Sequence, residues 1–297
     1  MNHIQTNVHP SLNPVIITGM HRSGTSLTAS LIQKIGVKLG EQLLEADVFN
    51  PTGYFEDVDF LEFQRTVLKA MSPSGDFSSH TDWGWTERET LDRSLLPTYI
   101  EKAQALIQAK QQRSQIWGWK DPRTSLLLDF WHQLLPDARY FFVYRVPWDV
   151  VESILRQKGS LFCQRPDYAL RVWAFYNRHI LNFYRANRDR CVLVNTFTML
   201  KHPEQIAPLL RDKLHIQVKQ ALSHPELESI YQDNLFHTRD WQHPLVSALE
   251  ALSPESFALL SELDQVADIP SYFDCRSKPD TPLAAIPFLL HAQANHL

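Results

Sequence analysis

The 297-residue sequence lacks both a long apolar run and a hydrophobic leader. No segment approaches the roughly 18 uninterrupted apolar residues of a membrane-spanning helix. Residues 1–13 are polar and lack the apolar core of a secretory signal, so we expect a flexible N-terminus there. These absences predict a soluble, cytoplasmic protein.

Cysteine is scarce, and its distribution excludes a disulfide framework. The three cysteines are far apart and odd in number, at Cys163, Cys191 and Cys275. This pattern favours reduced structural thiols, and the absence of any N-x-[ST] acceptor agrees with an intracellular compartment. No C-x-x-C pair accompanies the 13 histidines, so no metal site is expected.

A basic excess is also missing from the composition. The 29 lysines and arginines face 33 aspartates and glutamates, which gives a net charge of −4. General nucleic-acid binders usually carry a basic surplus or a basic stripe, so this composition argues against that class. An anionic ligand would therefore be held by a few well-placed cations.

Four short apolar runs, separated by long stretches with helical spacing, are the main structural signal. Each run is apolar throughout, which is typical of strands covered on both faces of a parallel sheet. The runs are Val15–Thr18, Ile116–Trp119, Tyr140–Tyr144 and Cys191–Val194. They predict an α/β fold of three layers, with a mainly parallel sheet, helices on both faces and C-terminal helical additions.

The pattern predicts one domain over residues 14–275, followed by a C-terminal extension over residues 276–297. A stretch that packs several aromatic residues, Tyr168–Tyr184, is expected to be a core-facing helix. Other helices are predicted at Phe60–Lys69, at Thr124–Leu135 and on either side of Ser253–Pro254.

The first apolar run leads into a G-x-x-x-x-G loop, in the stretch PVIITGMHRSGTSLTASLI. Such a loop turns backbone N–H groups inward on an anion, helped by the positive end of the following helix. Nucleotide hydrolases have a lysine where Thr25 stands, and Arg22 can supply that missing charge. Further donors are the hydroxyls of Ser23, Thr25 and Ser26. A glycine turn without a ligand is the structural alternative, but the flanking strand and helix favour anion binding in a sheet of the P-loop nucleotide-binding type.

The third apolar run ends at a second candidate cation, Arg145. An arginine at the carboxyl end of a parallel strand points into the crevice where open α/β sheets bind ligands, and Ser153 follows it in a predicted helix. A magnesium-dependent kinase would need an aspartate at such a strand end. The alternative is that Arg145 pairs with Asp149 or Glu152 as an ordinary surface contact.

These residues resemble a known family. GMHRSGTS and FVYRVPWDVVES are similar to the two cofactor signatures of sulfotransferases that use 3′-phosphoadenosine-5′-phosphosulfate (PAPS). NPTGYFED and GWKDPRT extend the likeness to bacterial and tyrosylprotein branches, from about residue 15 to about residue 200. The resemblance implies that the first loop holds the 5′-phosphosulfate and that Arg145 and Ser153 hold the 3′-phosphate. The implied cofactor contacts are His21, Arg22, Ser23, Gly24, Thr25, Ser26, Arg145 and Ser153. The sequence departs from some relatives at Gln157, where they have an arginine.

The resemblance also implies in-line transfer to an acceptor hydroxyl, assisted by a carboxylate base. Glu56 is our candidate base, with Glu45 and His80 as alternatives. Arg22 and Lys120 are expected to stabilise charge on the leaving phosphate. For Lys120 the alternative is a salt bridge with Asp121.

The acceptor is expected to be a hydroxyl-bearing small molecule, carbohydrate or lipid, and a peptide tyrosine remains open. Four tryptophans either stack on an acceptor ring or pack in the core, namely Trp83, Trp85, Trp117 and Trp119. Two other functions compete with sulfuryl transfer. One is a P-loop kinase that uses ATP and magnesium, with Asp121 as the metal ligand, and the other is a non-catalytic nucleotide-binding module.

Overall fold

A four-stranded parallel sheet forms the centre of the computed structural model. The structure describes residues 13–46, 53–73, 84, 90–111, 116–156, 162, 166–216 and 243–271. The sheet has the order β2-β1-β3-β4, and each neighbouring pair is parallel. The strands are β1 (Val15–Gly19), β2 (Gly118–Lys120), β3 (Arg139–Tyr144) and β4 (Cys191–Asn195). The predicted α/β class with a mainly parallel sheet is therefore confirmed.

Both faces of the sheet are covered, which explains why its strands are apolar at most of their positions. Side chains such as Ile16 and Phe142 join one hydrophobic cluster, whereas Ile17 and Phe141 join the other. The alternation follows from the period of two in a strand, which sends neighbouring side chains to opposite faces. Each face then buries its own layer of helices.

The helices that cover the sheet follow the order of the sequence. They are α1 (Thr25–Lys34), α2 (Val58–Met71), α3 (Ile100–Lys110), α4 (Leu128–Leu134), α5 (Pro147–Leu155), α6 (Pro166–Ala186), α7 (Thr196–Lys201), α8 (Pro244–Leu252) and α9 (Pro254–Val266). Short 3-10 helices occupy Arg93–Tyr99, Pro122–Leu126, Arg188–Arg190 and Pro203–Gln205, and a π-helical turn follows at Leu209–Lys213. None of the helices in the described ranges combines the length and apolar character that crossing a membrane requires.

Two predicted elements have different bounds in the structure. The helix expected over Thr124–Leu135 is divided into the 3-10 helix Pro122–Leu126 and α4. The division arises because the side chain of Asp121 accepts from the N–H of Arg123 and starts a turn at Pro122, and because Leu127 leaves helical geometry at φ −119°. The second strand begins at Gly118, later than expected, because Trp117 forms only an isolated bridge, with Lys38.

Short backbone pairings cover both edges of the sheet. On the β2 side, the N–H of Lys38 donates to the carbonyl of Ile116 (2.9 Å) and the N–H of Gly118 donates to the carbonyl of Lys38 (2.9 Å). On the β4 side, the N–H of Asn195 donates to the carbonyl of Ile269 (2.7 Å). The last described residues thus run beside β4 in parallel.

The C-terminal helices α8 and α9 pack against the layer that covers one face of the sheet. The ring of Trp148 on α5 stacks on Phe257 of α9, with centroids 5.6 Å apart. Arg178 of α6 pairs with Glu262 of α9 at 2.9 Å. These contacts confirm the predicted helical additions. Several predictions fall outside the described residues, namely those on residues 1–12 and 276–297 and on His80, Trp83, Trp85, Gln157, Cys163 and Cys275.

Candidate functional site

The loop between β1 and α1 depends on close packing at both of its glycines. A Cβ atom on Gly19 would lie 2.2 Å from the carbonyl oxygen of Val143, and one on Gly24 would lie 2.4 Å from Cγ2 of Thr196. Gly24 also has φ 88°, a left-handed conformation that glycine adopts without penalty. Arg22 adopts φ 66°, which is uncommon for a residue with a side chain. This backbone fixes where the Arg22 side chain begins.

The loop hydroxyls include one that suits an anionic ligand. Ser23 is fully buried, and its Oγ has no hydrogen-bond partner among the described residues. A buried hydroxyl without a partner carries a desolvation cost, which a bound phosphate oxygen would remove. Thr25 is buried at the first position of α1, and the half-buried Ser26 donates to the carbonyl of Tyr54 at 3.1 Å. His21 lies beside the ring of Tyr176, with centroids 5.8 Å apart.

The two motifs that the sequence places far apart meet in the structure. Nε of Arg22 donates to Oγ of Ser153 over 3.0 Å, although 131 positions separate the two residues. Because Ser153 accepts this bond, its own O–H proton is left to donate to a ligand. The first loop and α5 therefore line a common site.

Arg145 lies just after β3 and is buried, at 5% exposure. Its Nε donates to Asp149 on α5 at 3.3 Å, and its carbonyl oxygen accepts from the indole N–H of Trp173 at 2.9 Å. The pairing with Asp149 is the alternative that the sequence leaves open, but it is a buried contact and not a surface one. Burial lowers the pKa of the Arg145 guanidinium, and the charge of Asp149 opposes that shift.

Lys120 ends β2 and forms the centre of a buried polar cluster. Its Nζ donates to Oε1 of Glu56 (2.6 Å), to the carbonyl of Tyr54 (2.8 Å) and to Oγ of Ser26 (3.1 Å). The expected alternative, a salt bridge with Asp121, is wrong in this structure. Lys120 instead bonds to Ser26, which follows the loop between β1 and α1, and to Glu56, which is the candidate base.

Glu56 is buried at 4% exposure, and its Oε2 has no partner among the residues described. Burial raises the pKa of Glu56, although the charge of Lys120 acts in the opposite direction and that of Asp121 adds to the rise. Its backbone carbonyl is held by the N–H of Leu44 at 2.8 Å. The rival carboxylate, Glu45, is exposed. Of the two, only Glu56 contacts Lys120 and lies beside the loop.

Asp121, the only candidate metal ligand of the kinase alternative, is fully buried and engaged by protein groups. Its Oδ2 accepts from Nε2 of Gln64 at 2.7 Å. Its Oδ1 accepts from the N–H of Arg123 at 2.9 Å and from Nη1 of the same residue at 3.2 Å. The carboxylate therefore fixes the turn after β2 and the contact with α2. Sequence reasoning missed Gln64, since a glutamine on a helix gives no local sign of its partners.

The two described tryptophans of the acceptor hypothesis belong to the core. Trp119 is fully buried and stacks on Phe60 with centroids 4.1 Å apart, and Trp117 is buried at 2% exposure. This arrangement matches the packing alternative. Neither ring is exposed to stack on an acceptor in this structure.

Sequence reasoning also missed Thr196, which follows β4 directly. Its Oγ1 donates to the carbonyl of Ser23 in the loop and lies 3.3 Å from the carbonyl of Tyr144. The only signal in the sequence is its position after the fourth apolar run, at the same sheet edge as the loop.

A parallel α/β sheet, with a glycine-bounded loop after its first strand and two arginines at the same edge, is an arrangement suited to binding phosphate groups. The family model described as "Sulfotransferase family" matches residues 14–220. The chain belongs to this family and is a sulfotransferase. No curated protein matches the sequence.

The chain is similar to several solved structures at low sequence identity. The sulfotransferase from Alicyclobacillus acidocaldarius is 12% identical, with 87% of this chain and 97% of that chain covered and a TM-score of 0.50. The sulfotransferase domain of the Synechococcus PCC 7002 olefin synthase is 18% identical, with the same coverage and a TM-score of 0.48. Retinol dehydratase, solved with androsterone and the inactive cofactor PAP, is 12% identical over 87% of this chain and 82% of that chain, with a TM-score of 0.39.

Proposed function

We propose that this sulfotransferase takes its sulfuryl group from PAPS and transfers it to an acceptor hydroxyl, with Glu56 as the general base. The observation that carries the proposal is the hydrogen bond between Arg22 and Ser153. This contact supports a common site for the two predicted signatures, because it joins the first loop to α5. A donor with anionic groups at two separate positions suits that arrangement.

The residues at this edge fit such a donor. The buried, unpartnered hydroxyl of Ser23 and the loop N–H groups supply donors for the 5′ end, together with Arg22 and the neighbouring residues His21, Gly24, Thr25 and Ser26. Arg145 and the hydroxyl of Ser153 would hold the 3′-phosphate. The guanidinium of Arg145 is buried, and an anionic ligand would add to the compensation that Asp149 gives its charge.

Glu56 is the group that would take the proton from the acceptor. PAPS, when bound, would supply the sulfuryl group, and its 5′-phosphate would be the leaving group. The transfer therefore needs no nucleophile from the protein. Oε1 of Glu56 is occupied by Lys120, which leaves Oε2 as the proton acceptor. Burial raises the pKa of Glu56 and so makes it a stronger base than an exposed glutamate.

Lys120 would act on the leaving phosphate as well as on the base. Its Nζ contacts Ser26 in the loop as well as Glu56, so one ammonium group orients the base and adds positive charge near the leaving phosphate. Together with Arg22 it provides preorganised charge at a water-poor site, where electrostatic stabilisation is strongest.

The kinase alternative is less well supported. Its candidate metal ligand, Asp121, has both carboxylate oxygens bonded to Gln64 and Arg123. The residue after β3 is an arginine and not an aspartate.

The acceptor is a hydroxyl-bearing small molecule, carbohydrate or lipid in this proposal.

Calorimetric titration with adenosine 3′,5′-bisphosphate (PAP), compared with ATP plus magnesium, tests the donor. We expect metal-independent binding of PAP and weaker binding of ATP. The variant Arg145→Gln should lose about tenfold or more in affinity for PAP while its affinity for 5′-AMP changes little, since only the 3′-phosphate contact is removed. Arg178→Gln, which removes an exposed ion pair, is the matched control.

Transfer of labelled sulfate from PAPS to a panel of hydroxyl acceptors tests the reaction itself. Tight binding of ATP that depends on magnesium, together with no affinity for PAP, would contradict the proposal. Binding of PAP without transfer to any acceptor would favour the non-catalytic module.

A further inference from the structure

Thr196 joins the two arms of the proposed donor site through one hydroxyl. It is fully buried, and its Oγ1 donates to the carbonyl of Ser23 and lies 3.3 Å from the carbonyl of Tyr144. Ser23 belongs to the first loop, whereas Tyr144 directly precedes Arg145. A single O–H group therefore ties the backbone of the loop to the end of the strand that carries the second arginine.

The methyl group of Thr196 fixes the same contact from the other side. It lies where a Cβ of Gly24 would be, at 2.4 Å, so the loop packs directly on Thr196 without space between them. The hydrogen bond and the packing contact together restrict movement of the loop along the sheet edge and across it. Thr196 is therefore placed to set the distance between Arg22 and Arg145.

The segment that runs beside β4 supports Thr196 from behind. Its preceding residue, Asn195, donates its N–H to the carbonyl of Ile269 at 2.7 Å. The hydroxyl of Tyr144 donates to Asp264, whose carboxylate also accepts from the N–H and Oγ of Ser271. Residues 264–271 thus contact the ends of β3 and β4, and the Thr196 hydroxyl lies between these two ends. This segment lies beyond the part of the chain that the family model matches.

We propose that Thr196 is a positioning residue that sets the spacing of the two anion-binding arms, and that residues 264–271 hold it in place. This inference rests on the proposed PAPS site. A ligand with phosphates at both ends needs the arms at a fixed separation, whereas 5′-AMP engages the loop alone. The ratio of the affinity for PAP to that for 5′-AMP therefore reports on the spacing.

Three variants separate positioning from stability. Thr196→Val keeps the shape and removes the hydroxyl, Thr196→Ser keeps the hydroxyl and removes the methyl group, and Thr198→Val makes the same exchange at a buried position two residues further along α7. Each is titrated calorimetrically with PAP and with 5′-AMP, and its thermal unfolding is recorded. We expect the affinity ratio to fall about fivefold in Thr196→Val, to fall less in Thr196→Ser, which keeps the hydrogen bond, and to stay near the wild-type value in Thr198→Val.

Asp264→Asn provides a second variant that does not touch the loop, in case Thr196→Val fails to fold. It weakens the bond to Tyr144 and should lower the affinity ratio about two- to threefold. Glu262→Gln on the same helix weakens two partly exposed ion pairs away from the loop and should leave the ratio unchanged.

Wild-type affinity ratios in both Thr196→Val and Asp264→Asn, with lowered melting temperatures, would overturn the inference and assign these residues a purely structural role. An equal loss in Thr196→Ser and Thr196→Val would overturn it as well. If the wild-type protein itself fails to prefer PAP over 5′-AMP, the proposed donor fails and the inference falls with it.

Discussion

Glu56 and Lys120 form an ion pair from which water is almost excluded, at 4% and 2% exposure. The desolvation of two charges usually offsets most of their attraction, so such a pair is a poor source of stability. Buried carboxyl groups with a raised pKa, such as Glu56, gather at functional sites. The bonds of Lys120 to Ser26 and to Tyr54 place this pair beside the donor loop, which favours a catalytic role.

Replacing the proposed base should separate catalysis from donor binding. In Glu56→Gln we expect kcat to fall about 10²- to 10⁴-fold, since an amide cannot take up the proton of the acceptor. Glu45→Gln is the control and should keep near wild-type turnover. Steady-state kinetics and PAP titration measure the two effects, and full activity in Glu56→Gln would exclude this residue as the base.

The pH dependence of turnover should reflect the buried position of Glu56. Burial raises the pKa of this carboxyl above its ordinary 4.5, and the base works only when ionised. Activity should therefore be lost on the acid side at a pH above 4.5. The contribution of Glu56 to folding stability has the opposite trend, because a raised folded-state pKa favours the folded protein at low pH and that gain is lost as the pH rises through it. A pH–rate profile with an acid limb at or below 4.5 would contradict this assignment.

Phe55 has φ 65°, a left-handed conformation that costs a bulky residue free energy. Its neighbours on both sides, the carbonyl of Tyr54 and the carboxylate of Glu56, reach the ammonium of Lys120. We therefore expect Phe55→Gly to be more stable than Phe55→Ala by about 1 kcal/mol, the reverse of the usual order. Both variants lose the same ring, so urea unfolding isolates the backbone effect. Greater stability of Phe55→Ala would show that this φ is not retained.

At the level of strands and helices, the sequence predicts those features that arise from neighbouring residues. The four strands were predictable because burial on both faces makes each run apolar, and the Gly19 to Gly24 loop was predictable because its spacing is contiguous. The partner of Lys120 was not, since Glu56 lies 64 positions away and Asp121 is adjacent. Thr196 was missed for the same reason, as its contacts lie on other strands.

Gln64 of α2 links that helix to the turn after β2. Its Nε2 donates to Asp121, and its Oε1 accepts from Thr124 (2.8 Å) and from Trp131 (3.2 Å). Gln64→Leu would remove the hydrogen bonds to Oδ2 of Asp121, to the hydroxyl of Thr124 and to the indole N–H of Trp131, so we expect a loss of about 3 kcal/mol in the free energy of unfolding.

Urea unfolding measures the loss in Gln64→Leu. The matched control on the same helix is Glu62→Gln, which removes only an exposed ion pair with Arg65 and should change stability little. Equal stability of the two variants would show that the network contributes nothing.

For the molecule as a whole, ion pairs and hydrogen bonds join the C-terminal segment to the rest of the chain. Glu262 pairs with α6, and Asp268 accepts from the N–H of Leu193 (2.8 Å) and from Lys213 (2.6 Å). We expect a chain that ends after residue 275 to keep the melting temperature of the full chain and its affinity for PAP. A chain that ends after residue 220, where the family model ends, should not fold cooperatively. Circular dichroism during heating checks both, and cooperative melting of the shorter chain would place the domain boundary earlier.

The coverage of both sheet edges has a consequence for the behaviour of the protein at high concentration. A strand with unpaired N–H and C=O groups is a template for another chain, and exposed edges of this kind lead to aggregation. Lys38 shields β2 and Ile269 shields β4 along part of their lengths. Loss of residues 264–271 would uncover β4, whose sequence CVLVN is uncharged and rich in β-branched residues, and would turn this edge into a nucleus for intermolecular strand pairing.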